Sequence, residues 1–141
     1  MIWFKKVTPS ELNQRPANHL GALIGIEFTE ITEDSISARM PVDERTHQPA
    51  GILHGGASVV LAETLGSSAG NLCVDADAMC VGIEINANHL APVRDGIVVG
   101  TTRPLHVGRS TQVWETRIED GSGRLVCISR LTLAVVGRRA R

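Results

Sequence analysis

Apolar and polar residues alternate along much of the chain, and this alternation predicts five extended segments. They are residues 26–42, 80–91, 96–105, 111–119 and 124–136. The Asp-Gly-Ser-Gly stretch at 120–123 separates the last two and is typical of a hairpin turn. Within 80–91, every second residue shares one face, which we expect to point inward: Val81, Ile83, Ile85, Ala87 and His89.

The stretch 55–73 is apolar with a helical period instead. Leu61, Leu65 and Leu72 fall within about 40° of one another on a helical wheel, so this leucine stripe should face the chain's own sheet. Shorter helices are predicted at 9–15, after the capping-box pattern Thr8-Pro9-Ser10-Glu11, and around 19–24. One long helix followed by strands predicts an α+β fold, with an antiparallel meander curved around a central helix.

Composition narrows the class of protein. A chain of 141 residues suits one domain, predicted over 1–137, with a basic tail at 138–141 expected to be disordered. The net charge of −1 and 3% aromatic residues argue against a nucleic-acid partner. No stretch resembles a signal peptide or a membrane span, so we expect a cytoplasmic protein without a membrane partner.

The spacing of the cysteine and histidine residues predicts neither disulfides nor a metal site. Cys73, Cys80 and Cys127 form no CxxC pair and are odd in number, which favours reduced thiols. The five histidines lack metal-ligand spacing, so no metal is predicted.

Glu63 is the single charge in the long helix and lies nearly opposite the leucine stripe. A solvated helix face normally carries several charged residues, but the neighbours of Glu63 are small or apolar: Val59, Val60, Gly66, Ser67 and Gly70. Gly66 and Gly70 each cost about 1 kcal/mol relative to Ala, which suggests that a second subunit or a ligand approaches the backbone there. A carboxylate buried at such a place is costly unless it is paired or used.

His54-Gly55-Gly56 lies at the predicted start of the same helix. Free N–H groups and the positive end of the helix dipole favour an anionic group there, although a plain turn and cap is the alternative. Gly55 and Glu63 are about 12 Å apart along a helix axis. If both act on one reacting atom, they must come from different subunits, which predicts a two-fold dimer with two sites at its interface.

Several motifs match one family. The stretches MPVDERTHQP, HQPAGILHGGASVVLAETLGS, VGIEINANH and PLHVGR resemble those of the hotdog-fold acyl-CoA thioesterases, over nearly the whole chain. The resemblance implies a hotdog fold, a homo-oligomer assembled as a dimer of dimers, and hydrolysis of an acyl-CoA or carrier-protein thioester. It implies a preference for aromatic acyl groups, and no cofactor, because coenzyme A is part of the substrate. A non-catalytic acyl-CoA-binding module and an acyl-thioester hydratase or dehydratase are the alternatives.

The resemblance also assigns residues. Glu63 matches the catalytic carboxylate, as nucleophile or as base on water, and Gly55 matches the oxyanion-binding N–H. Gln48 and His54 match two further catalytic positions, although His54 serves equally well as a structural cap. Ser67, one turn after Glu63, is either a hydrogen-bond partner of the carboxylate or a packing residue. The substrate-binding matches are Gly82, His89, Leu90, Ala91, Pro92, His106, Val107, Gly108, Arg109, Ser110 and Thr111. Among these, Arg109 is a candidate clamp for the coenzyme A phosphates.

Overall fold

The computed structural model of the chain describes residues 1–138. Three helices and six strands follow one another along it. In chain order they are α1 (Pro9–Asn13), α2 (Leu20–Leu23), β1 (Glu27–Ile31), β2 (Ile36–Pro41), α3 (Gly55–Leu72), β3 (Ala78–His89), β4 (Ile97–Val107), β5 (Thr111–Asp120) and β6 (Leu125–Gly137). The capping box at α1 and the long helix α3 form where the sequence predicts them.

The six strands make one antiparallel sheet that does not close, in the order β1-β2-β4-β5-β6-β3. Helix α3 packs against this sheet from β2 to β3. The leucine stripe faces the sheet as predicted, because Leu61 and Leu65 are fully buried and Leu72 is nearly so. The sheet approaches so closely that a Cβ on Gly100 would lie 2.8 Å from Leu65 Cδ1. This arrangement, an antiparallel sheet around one long helix, is the expected hotdog fold.

The predicted simple meander is wrong in two respects. Residues 26–42 form two strands, because Thr32 and Ser35 close a turn through a 2.6 Å hydrogen bond between their hydroxyls. In addition, β3 does not pair with β4. It crosses to the far side and pairs with β6, while β4 pairs with β2. Of the four strands after α3, only β4, β5 and β6 are neighbours in the sheet in the same order as in the chain.

Strand β3 contains a β-bulge between Gly82 and Glu84, which shifts its register against β6. The predicted inward face is therefore wrong in its first half, where Val81 is 38% exposed and Ile83 63% exposed. Before the bulge, Cys80 points inward; after it, Ile85 and Ala87 pack against the core. The extra residue changes the alternation of side chains, which periodicity alone does not reveal.

Gly66 and Gly70 also differ from expectation, because both are buried under the chain's own sheet. A Cβ on Gly66 would lie 2.7 Å from Leu131 Cδ2, and one on Gly70 would lie 2.4 Å from Leu133 Cδ1. The curved sheet extends farther around α3 than the helical wheel suggests. It leaves a narrower uncovered face of half-buried residues: Val59, Val60, Glu63, Thr64, Ser67 and Asn71.

Residues near both ends of the described part of the chain bond close to the end of α3. The Phe4 N–H donates to Leu72 O at 2.7 Å, and Trp3 stacks on Trp114 with ring centroids 6.1 Å apart. Arg138, the first residue of the predicted tail, donates from its backbone to Asp77 O at 2.8 Å. The rest of that tail, 139–141, lies outside the described residues. Between residues 1 and 138, no helix is both long and apolar enough to cross a membrane.

Candidate active site

The loop before α3 is folded tightly on itself. The Gln48 N–H donates to Ile52 O at 2.8 Å, and the Gly51 N–H donates to Gln48 O at 2.9 Å. Gly51 has a φ of 76°, a left-handed conformation that glycine adopts without steric cost. The Gln48 side-chain carbonyl accepts the Ala50 N–H, so its amide NH₂ is the group left to donate.

His54 is the N-cap of α3. Its Nδ1 accepts the Gly56 N–H at 2.8 Å, so the proton of the neutral ring lies on Nε2. Gly56 is required by this geometry, since a Cβ there would lie 2.9 Å from that Nδ1. His54 thus serves as the structural cap, one of the two roles that the sequence allows for it.

Gly55 begins α3 directly beneath the His89 ring. A Cβ on Gly55 would lie 2.7 Å from His89 Nε2, so only glycine allows this approach. The Gly55 N–H has no hydrogen-bond partner among residues 1–138, unlike those of Gly56, Ala57 and Ser58. A backbone donor of this kind at a helix start is suited to bind a carbonyl oxygen or an oxyanion.

One cavity of about 370 Å³ brings together part of the predicted site. Six of the predicted residues line it: Gln48, Gly55, His89, Leu90, Ala91 and Pro92. His89 therefore turns inward, as its position in the strand predicts, and stands at the helix start. The remaining walls are Ile52, Leu53, Ser58 and Val126.

Glu63 lies outside this cavity, farther along α3. It is half-buried, and its carboxylate faces Gly82, where a Cβ would come within 3.0 Å of Glu63 Oε1. Gly82 thus leaves room for the carboxylate. Ser67 is half-buried on the same helix face, and the described residues show no hydrogen bond from its hydroxyl to Glu63.

The turn between β4 and β5 holds the remaining predicted residues, His106 to Thr111. Thr111 pairs with Ala134 of β6, which pairs in turn with Val81 of β3, so this turn lies at the Gly82 end of the sheet. The Gly108 N–H donates to Thr111 O at 2.9 Å, and the Val135 N–H donates to Ser110 O at 3.0 Å. These bonds fix the backbone of the turn. The Arg109 side chain is exposed.

The predicted residues therefore form two clusters within one chain. The first surrounds the start of α3 and the end of β3, and the second surrounds Glu63, Gly82 and the β4–β5 turn. Across the part of the chain that the structure covers, no three His, Cys, Asp or Glu side chains come together in a way that could hold a metal ion.

A family model decides the class of this arrangement. The model of the thioesterase superfamily matches residues 50–127, a range that contains Gly55, Glu63 and Gly82. The chain belongs to the thioesterase superfamily. The Escherichia coli protein named 1,4-dihydroxy-2-naphthoyl-CoA hydrolase is 50% identical over 136 residues, covering 96% of this chain and 100% of that one. The proofreading thioesterase EntH of Cronobacter turicensis is 50% identical over 137 residues, covering 97% and 100%.

A solved structure agrees with these relatives. The crystal structure of a thioesterase from Haemophilus influenzae matches with a TM-score of 0.95 at 50% identity, covering 97% of this chain and 96% of that one. The chain is thus a thioester hydrolase, and the relatives favour this over the binding-module and hydratase interpretations.

In this thioesterase, sequence reasoning missed the residue that fastens the loop before α3. Thr46 is buried, and its hydroxyl donates to Pro41 O at 2.8 Å while its own carbonyl accepts the His54 N–H at 2.8 Å. His47 adds a 2.8 Å contact between its ring Nε2 and Arg94 O. The stretch Asp-Glu-Arg-Thr-His carries no pattern that predicts these bonds. The Thr46 hydroxyl bonds to the end of β2, and His47 bonds to a segment far along the chain.

Proposed function

We propose that this thioesterase hydrolyses acyl-CoA thioesters to a free acid and coenzyme A, with a preference for aromatic acyl groups. The observation that carries the proposal is the unpaired Gly55 N–H, which opens into a cavity at the start of a helix whose uncovered face bears Glu63. The name of the Escherichia coli relative, 1,4-dihydroxy-2-naphthoyl-CoA hydrolase, specifies an aromatic acyl-CoA, which supports the same substrate class.

The active site is completed by a second copy of the chain. Strand β3 is a long edge strand with exposed Val81 and Ile83, a surface that natural proteins normally cover or pair. Antiparallel pairing of two β3 edges about a two-fold axis would set the two α3 helices side by side in opposite directions. An axis near Val59 of α3 relates Gly55 to the partner subunit's Glu63.

Strand β3 is compatible with the same axis. Within one chain, Gly82 lies beside Glu63 and His89 lies beside Gly55. The midpoint of Gly82 and His89 falls near Ile85, as the midpoint of Gly55 and Glu63 falls at Val59. One axis therefore places Glu63 and Gly82 of one subunit beside the partner's Gly55 and His89, and unites the two clusters. Two such dimers would form the tetramer that the sequence predicts.

In the proposed mechanism, the thioester carbonyl oxygen accepts the Gly55 N–H, and the Gln48 amide NH₂ is placed to assist. Glu63 of the other subunit either takes a proton from water, whose hydroxide attacks the carbonyl carbon, or attacks that carbon itself to form a mixed anhydride. Gly55 stabilises the resulting oxyanion. The C–S bond then breaks, and the coenzyme A thiolate takes up a proton as it leaves. In the second route, water hydrolyses the anhydride.

The coenzyme A moiety would lie along the second cluster. Arg109 is exposed on a turn whose backbone is held by Gly108 and Ser110, so its guanidinium is available to a phosphate group. The remaining substrate contacts are the cavity wall from Leu90 to Pro92. The reaction needs no cofactor or metal, because water and a carboxylate supply the nucleophile. A carrier-protein thioester presents the same bond and is the comparison substrate.

The test measures thiol release from benzoyl-CoA with a thiol-reactive dye. We expect steady turnover by the native protein and a loss of about 10²–10⁴ in kcat for Glu63→Gln, because the proton acceptor or nucleophile is removed. Glu30→Gln, an exposed carboxylate on β1, is the matched control and should leave kcat unchanged.

Two results would contradict the proposal. Native protein that releases no thiol from benzoyl-CoA, from short-chain acyl-CoAs or from an aroyl carrier protein is not the proposed enzyme. Full activity in Glu63→Gln would remove Glu63 from the mechanism. The protein's own thiols should add little background, since burial raises the pKa of Cys80 and Cys127 and raises that of Cys73 to about 11.

A further inference from the structure

A second cavity, of about 420 Å³, lies between α1, α2, the start of β1 and the side of α3. Most of its wall is apolar or small: Leu12, Ala17, Gly21, Ala22, Gly25, Ile26 and Phe28. A wall of this composition is suited to a flat or branched apolar group. None of these residues belongs to the two clusters described above.

The cavity reaches helix α3 one position after Glu63 in the chain. Its wall on α3 is Thr64, the residue after Glu63. Arg15 stands between this cavity and a groove along α3 that contains Ser67 and Asn71. An acyl group whose carbonyl is held at Glu63 can therefore extend across Thr64 towards Arg15.

The polar side chains of this wall divide into occupied and available groups. The Asn13 amide is occupied, since it donates to Phe28 O at 2.9 Å and accepts the Phe28 N–H at 2.8 Å. The Glu27 carboxylate is occupied by Arg39, whose Nη2 lies 2.9 Å from Glu27 Oε2. Each group therefore already has a structural partner, although the second Asn13 N–H and Glu27 Oε1 are not used in these bonds.

The available groups are hydrogen-bond donors. His19 caps α2 through Nδ1, which accepts the Ala22 N–H at 3.3 Å, so the neutral ring presents Nε2–H. Arg15 makes one long contact, 3.5 Å from Nη1 to Ser68 Oγ, and pairs with no carboxylate within residues 1–138. A guanidinium, an imidazole N–H and the Thr64 hydroxyl thus line a cavity whose remaining wall is mostly apolar or small.

We propose that this cavity binds the distal end of the acyl group and that Arg15, with His19, selects acyl groups bearing a carboxylate at that end. The inference rests on the proposed function, because it assumes that Glu63 acts on the thioester. Arg15 is a specificity residue here: it contacts the substrate far from the reacting carbon. A bidentate guanidinium–carboxylate pair supplies both orientation and energy that an unsubstituted ring does not receive.

The test compares three substrates in the native protein and in two Arg15 variants. We measure kcat/KM for benzoyl-CoA and for its 3- and 4-carboxy derivatives with native protein, Arg15→Met and Arg15→Lys. Methionine keeps the length of the stem and removes the charge, whereas lysine keeps the charge and loses the planar fork. Arg117→Met, an exposed arginine on β5, is the matched control.

We expect the native protein to have a higher kcat/KM for one of the two carboxybenzoyl-CoA isomers than for benzoyl-CoA. Arg15→Met should lower kcat/KM for that isomer about 10-fold, the lower part of the range for a charged hydrogen bond, because Arg15 is partly hydrated. Benzoyl-CoA should change less than about 2-fold, Arg15→Lys should recover part of the loss, and Arg117→Met should change neither substrate.

Two failures are distinguishable. If native protein hydrolyses none of these thioesters, the proposed function fails. If it hydrolyses benzoyl-CoA, and Arg15→Met changes the plain and carboxylated substrates by the same factor, the carboxylate selection alone is overturned. Native protein that prefers benzoyl-CoA to both carboxy isomers overturns it as well.

Discussion

Gly55 meets two requirements at a single position. It allows the His89 ring to approach the start of α3, and its N–H is the unpaired donor of the site. The approach of the His89 ring by itself excludes any side chain, and the free N–H additionally excludes proline. These two requirements explain why a residue with poor helix propensity begins the longest helix.

We predict that Gly55→Ala lowers kcat by about 10²-fold, comparable with the loss of one oxyanion donor, because the new Cβ would displace His89 or the N–H itself. The free energy of unfolding should hardly change, since alanine is favourable in a helix. Steady-state kinetics and urea unfolding measure the two quantities. Gly121→Ala is the control, because its Cβ would meet nothing within 4 Å; equal effects of both variants would refute the prediction.

Single residues were predictable where the chemistry is local. His54-Gly55-Gly56 indicates a helix start from the sequence alone, and the His54 cap is a contact across two residues. Gly66 and Gly70 were misassigned because their partners, Leu131 and Leu133, come from a strand some sixty residues later. A helical wheel gives the direction of a side chain, but not how far a curved sheet extends around the helix.

The turn between β5 and β6 is held by one carboxylate. Asp120 Oδ1 accepts from the Ser122 hydroxyl at 2.7 Å and from the Arg124 N–H at 3.1 Å. The Ser122 hydroxyl is the largest influence that lowers the pKa of Asp120, to about 2. The Arg124 side chain donates to Pro92 O at 2.7 Å, which links this hairpin to the wall of the cavity at the start of α3.

We predict that Asp120→Asn lowers the urea midpoint at neutral pH. The folded pKa lies below the ordinary value of 3.8, so this stabilisation is complete above about pH 4 and is lost as the pH falls towards 2. The difference between variant and native protein should therefore narrow over that interval. Chemical unfolding at several pH values measures it, with Asp95→Asn as the exposed control. A difference that does not depend on pH would contradict the assignment.

Elements were predicted well in position and less well in detail. The bounds of α3 and of β4 to β6 differ by a few residues from those predicted, although the strand pairing shifts register at Pro104–His106 and at Ile118–Glu119. The division of 26–42 depends on the hydroxyl pair of Thr32 and Ser35. The bulge in β3 depends on pairing with β6. Neither event leaves a periodic trace in the sequence.

The order of the strands in the sheet is determined by the packing of the whole molecule and not by local sequence patterns. Local patterns favour neighbours in sequence, whereas β3 lies at an edge beside β6 and leaves β4 to pair with β2. That placement exposes β3 for pairing with a second copy. Within one chain Gly55 and Glu63 lie in separate clusters, as their spacing along the helix predicts.

We predict that two inactive variants restore each other. In a mixture of Glu63→Gln and Gly55→Ala chains, half of randomly formed dimers are hybrids, and each hybrid has one intact site. Activity should reach about a quarter of the native value per chain. Kinetics after subunit exchange measure the recovery, and mass spectrometry of differently tagged chains verifies the exchange. No recovery despite complete exchange would disprove the shared site.

The bulge in β3 determines which single-residue deletions the strand can tolerate. Gly82 and Ile85 both face inward although three positions separate them, because Ile83 is the surplus residue opposite β6. Deleting Ile83 would leave them two positions apart, so every inward side chain of the strand would keep its face. Deleting Asn86 instead would turn His89 away from Gly55. One residue of this strand can therefore be gained or lost during evolution at little cost in orientation, while a similar change a few positions later would disable the enzyme.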